Sequence, residues 1–64
     1  MIKLSAILES QNPTDLVNIV EWDGSVATLA VHDAKLLFGS RDVCEYMNKG
    51  NYIFLEKPLR GEVL

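Results

Sequence analysis

Apolar and polar positions along this chain fall into short periodic blocks, and the clearest is residues 16–31, LVNIVEWDGSVATLAV. Two apolar runs rich in β-branched residues flank Asp23-Gly24. Asp-Gly between such runs is a strong hairpin signal, because both central residues of a type I′ turn take positive φ. Pairing Trp22 with Ser25 predicts Leu16, Val20, Trp22, Ala27, Leu29 and Val31 on one side, and Val17, Ile19, Val26 and Ala30 on the other. Such a hairpin is apolar on both faces.

The flanking blocks are shorter. Residues 2–9 alternate, with Ile2, Leu4, Ala6 and Leu8 on one side, which predicts a half-buried first strand with a short helix as the alternative. Residues 10–15 read as a turn, although Asn12-Pro13-Thr14-Asp15 also has the form of a helix start that would place Leu16, Ile19 and Val20 on one helical stripe. The β propensity of Val17, Ile19, Val20 and Trp22 favours the strand there. His32-Asp33-Ala34-Lys35 then turns the chain, and Leu36-Leu37-Phe38 forms a short strand or one helical turn before Gly39.

Ser40 as cap, Asp42 in the first turn, Lys49 in the last and Gly50 just beyond predict a helix over residues 41–49, with Val43, Tyr46 and Met47 as its stripe. Residues 51–57 alternate as a final strand ended by Pro58, and residues 58–64 read as a loose tail. The expected architecture is a single small α+β domain over 1–64. It has a mainly antiparallel sheet of three to five strands and one helix on one face, in the order β-β-β-(short element)-α-β.

Size changes what that architecture needs. A chain of 64 residues buries only about 60% of its unfolded surface, and domains this small commonly add disulfides, a metal or a partner subunit. One cysteine, Cys44, allows no internal bridge, and with one histidine, His32, there is no tetrahedral zinc set. Self-association, as a homodimer or larger oligomer through the sheet face or an edge strand, is the expected supplement. A lone thiol and the lack of a leader-like apolar stretch after Met1 predict a cytoplasmic protein with no membrane segment.

The net charge is −3, which disfavours nucleic acid as a partner. Its distribution is uneven. Residues 1–34 carry Lys3 against Glu9, Asp15, Glu21, Asp23 and Asp33, whereas residues 35–64 hold five bases against four acids. An acidic hairpin half fits docking on a basic protein surface, with electrostatic steering as the benefit.

Candidate chemistry is sparse. His32-Asp33 lacks a third member for a catalytic set. Cys44, beside Glu45 and Asp42, reads as a small semi-buried hydrophobe rather than a nucleophile. Gly39, Ser40 and Arg41 at the start of the predicted helix form a weak candidate anion site. Trp22, Tyr52 and Phe54 lack the basic groove of a base-stacking platform. No catalytic, metal or cofactor residue is identified, and no cofactor is expected.

Two functions remain. The first is a non-enzymatic protein-binding module acting by surface occupation through Glu21, Trp22, Asp23, Val17, Ile19 and Val26. By analogy of size and charge alone, phages and other mobile elements encode such chains to inhibit a host or defence enzyme. The second is a homo-oligomer that sequesters a small anionic ligand between subunits.

Overall fold

The central hairpin forms, with its register one residue away from the simplest pairing. In the computed structural model, which describes residues 2–58, β1 (Leu16–Val20) and β2 (Val26–Ala30) pair antiparallel with Val20 opposite Val26. The turn is five residues rather than two. Glu21 N–H donates to Ser25 C=O over 2.8 Å, and Gly24 sits at φ 93°. Asp23 Oδ1 accepts from the Ser25 N–H (3.0 Å) and hydroxyl (2.7 Å). A one-residue slip exchanges one strand's faces relative to its partner. Val17 and Ile19 therefore lie beside Leu29 and Ala27, while Leu16, Asn18 and Val20 lie beside Ala30, Thr28 and Val26.

Directly after β2 the chain enters α2 (Val31–Phe38), the second helix after α1 (Leu4–Leu8). In place of the turn over 32–35 and the short strand or single helical turn over 36–38, a continuous helix forms, as Ala34, Lys35, Leu36 and Leu37 are strong helix formers. Two of the helix's free N-terminal donors are satisfied by backbone: Val31 N–H on Asp15 C=O (2.8 Å) and His32 N–H on Pro13 C=O (3.1 Å).

The first strand expected over 2–9 is α1, because Leu4, Ile7 and Leu8 also fall at i, i+3 and i+4, and Leu4 and Leu8 are fully buried. Only Lys3 keeps strand character, in an antiparallel bridge to Asp42.

The helix expected over 41–49 is instead β3 (Val43–Met47), paired antiparallel with β4 (Tyr52–Leu55). The residues that resembled caps are turn residues. Gly50 (φ 81°) and Asn51 (φ 56°) form the hairpin turn, with Asn51 N–H on Asn48 C=O. β-branched and aromatic Val43 and Tyr46 suit a strand once β4 offers a ladder. A bulge between Val43 and Glu45 leaves Cys44 as the extra residue, exposed rather than semi-buried.

The result is an α+β domain in the order α-β-β-α-β-β, with sheet order β2-β1-β4-β3 and β1 parallel to β4. Both helices lie on one face of the sheet. Leu4, Leu8, Val31 and Ala34 form a single core with Val17, Ile19, Val43, Ile53 and Leu55, and Ile7, Leu29 and Phe38 pack around it. No helix among the described residues is long and apolar enough to cross a membrane. The tail expected over 58–64 lies, beyond Pro58, outside the described residues.

Candidate interaction surface

Strand alternation sends every second side chain away from the helices, and the registers align those side chains into rows. Met47, Tyr52, Asn18 and Thr28 make one row; Glu45, Phe54, Val20 and Val26 make the next; Leu16 and Ala30 extend the face on β1 and β2. No element among the described residues packs over it. Leu16 is 64% exposed, Val26 55% and Met47 45%. Tyr52 and Phe54 stack at 6.5 Å between centroids.

The side-chain polar groups of Asn18 and Thr28 within this face are already engaged. The Thr28 hydroxyl donates to Asn18 Oδ1, and Asn18 Nδ2 donates to Gly50 C=O over 2.9 Å. Glu45 is the only charged residue in the two rows. What the face presents is chiefly apolar area and aromatic edges. At one end the hydrogen bonds of Gln11, Tyr46 and Asn51 tie the loop before β1 to the β3–β4 turn, with Asn51 Nδ2 on Gln11 Oε1 (2.8 Å) and on Leu16 C=O (2.9 Å).

The other end carries the hairpin loop. Trp22 is 56% exposed, and Lys57 Nζ stands 5.1 Å from its ring centroid, an exposed cation–π contact worth about 0.5–1 kcal/mol. The Ser25 backbone N–H, then its hydroxyl, hold the Asp23 carboxyl below the ordinary carboxylate range, which favours its ionised form at neutral pH. Trp22, Asp23 and Val26 are thus accessible interface candidates.

The remaining candidates take other roles. Val17 and Ile19 are fully buried under the helices and cannot meet a partner. Glu21 is held by Arg41, whose two guanidinium nitrogens donate to its carboxylate oxygens at 2.9 Å each while one also reaches Glu56 C=O at 3.1 Å.

That fork also removes the candidate anion site. Gly39, Ser40 and Arg41 follow the C-terminus of α2 instead of opening a helix, so the local dipole repels anions. Gly39 N–H is donated to Lys35 C=O and Arg41 N–H to Phe38 C=O, and the Arg41 side chain is spent inside the fold.

His32 and Asp33 lie in the first turn of α2 with Nδ1 and Oδ1 3.5 Å apart and both side chains more than half exposed, an arrangement open to water on all sides. Among the described residues there is no pocket and no group of His, Cys, Asp or Glu placed to hold a metal. Leu16, Met47 and Tyr52 were missing from the interface residues read from sequence. The alternation of Tyr52 and Phe54 against Ile53 and Leu55 was the available signal, but it does not say which set the helices cover. Compared with models of protein families, with curated proteins and with solved structures, the chain matches none.

Proposed function

We propose that this chain is a non-enzymatic protein-binding module that acts by occupying the surface of another protein, as an inhibitor, adaptor or regulator, with the helix-free sheet face as its working surface. The supporting observation is the set of exposed apolar residues Leu16, Val26, Met47 and Tyr52 on the side away from both helices. Full burial of such side chains contributes about 1.5–3 kcal/mol each, against an association cost of about 4–15 kcal/mol. Several residues must therefore be covered together, and a continuous sheet face offers them together. Trp22 and Tyr52 are the residue types that anchor interfaces. Asp23, ionised at the hairpin tip, favours a partner with a basic rim, which speeds encounter more than it strengthens the complex.

Affinity capture from the cells that make this protein tests the reading. Wild type and Leu36→Glu, a change on the exposed side of α2, should retain the same stoichiometric partner, and Val26→Glu/Tyr52→Glu should lose it while remaining folded. Equal retention by all three proteins, or loss confined to Leu36→Glu, overturns the assignment of the surface.

A further inference from the structure

The two edges of this sheet are finished differently. Along β3, Val43 N–H donates to Ile2 C=O and Leu4 N–H to Arg41 C=O, both at 3.0 Å, so the segment before α1 covers the beginning of the strand. A bulge and Glu45 interrupt the remainder. These are devices that blunt an edge. β2, VATLA, has no charge, proline, glycine or bulge, and no described strand lies beyond it.

The backbone pattern specifies what the open edge accepts. Glu21 N–H donates to Ser25 C=O and Val31 N–H to Asp15 C=O, so the β2 residues bonded to β1 are the odd-numbered Ala27 and Leu29. The N–H and C=O groups of Val26 and Thr28 and the N–H of Ala30 consequently point outward, while the Ala30 C=O, at the N-cap of α2, is taken by the helix. This set is self-complementary. About a two-fold axis at Thr28, an antiparallel copy sets Thr28 against its own Thr28 with both bonds available, and Val26 against Ala30 with the Ala30 N–H meeting the Val26 C=O.

We propose that a second copy of this chain pairs antiparallel along β2, joining two four-stranded sheets into one. No like charges meet across the pair, since β2 is uncharged. Ala27 is exposed although its alternation points it to the helix side, and pairing sets it opposite the second copy's Leu29. The contact between two five-residue strands is small, so the dimer belongs to the weak, concentration-dependent class. It does not depend on what the helix-free face binds.

Amide hydrogen exchange by NMR across a dilution series, with sedimentation on the same samples under reducing conditions, tests the proposal. As concentration rises the mass should double and exchange at Thr28 and Ala30 should slow, while Ala27 and Leu29, bonded to β1, stay unchanged. Thr28→Cys supplies a second readout. A hydrogen-bonded antiparallel pair sets Cα atoms about 5.5 Å apart, within disulfide range. In a Cys44→Ser background Thr28→Cys should therefore cross-link in air faster than Ala27→Cys. A monomer mass throughout, a doubled mass with unchanged Thr28 and Ala30 exchange, or cross-linking no faster than Ala27→Cys overturns the pairing.

Discussion

On the helix side of the sheet, Val17, Ile19, Ile53 and Leu55 are sealed to 4% exposure or less. On the other side Leu16, Val26, Met47 and Tyr52 remain open to water. Both sets are strongly apolar, so composition does not distinguish a core face from an open one. What separates them is a pair of short helices whose own apolar stripes, Leu4 and Leu8 on α1 and Val31 and Ala34 on α2, satisfy one side of the sheet alone. The first face carries stability, and the second stays open to solvent.

The largest expected effect comes from breaking the covered face. Ile53→Ala leaves a cavity in the core beside Ile19 and should cost about 2–5 kcal/mol, a large part of the total for a small domain, read from the urea midpoint. Val26→Ala, on the open face, should change stability by about 0.5 kcal/mol or less. Similar losses from the two substitutions would erase the distinction between the faces.

Arg41→Ala comes next, since the fork to Glu21 and Glu56 C=O joins the hairpin loop to the chain after α2 and after β4. Its removal should cost about 1.5–3 kcal/mol, and Arg41→Lys should restore only part because a lysine cannot make the paired contact. Asn51→Ala should cost about 1–2 kcal/mol in the same assay, because alanine at φ 56° is strained. Asn51→Gly relieves that strain and isolates the loss of the bonds to Gln11 and Leu16.

The smallest effect is in acid. Asp23's carboxyl is lowered in the folded protein by Ser25, so its contribution is complete above the ordinary carboxylate range and is lost as pH falls through the lowered value. Asp23→Asn should flatten the acid limb of the stability profile slightly by lowering the neutral region, with the acid extreme unchanged.

Much of the architecture was legible. The hairpin over 16–31, the final strand around Ile53 and the α+β class follow from β-branched runs and Asp23-Gly24. Register was not, because Asp23 bonds Ser25 and widens the turn to five residues, and a single slip reassigns a strand's faces. Ser40, Asp42, Lys49 and Gly50 satisfy helix-end preferences, yet the partner strand β4 decides in favour of β3, as tertiary pairing overrides local propensity. The helix α2 was obscured by Leu36 and Leu37, both about 70% exposed, which spoil an amphipathic pattern. Trp22, Asp23 and Val26 were recoverable as surface residues. Val17 and Ile19 were not separable from Leu16 and Val20 until the helices showed which alternation they cover.

The central claim is that the helix-free face meets the partner. Chemical-shift mapping of the labelled chain bound to the protein it captures tests this most directly. The account predicts perturbations concentrated at Leu16, Val20, Val26, Met47, Tyr52 and Phe54 with Trp22 at their margin. Perturbations centred on Leu36 and Leu37 of α2, with the sheet residues unmoved, would contradict it.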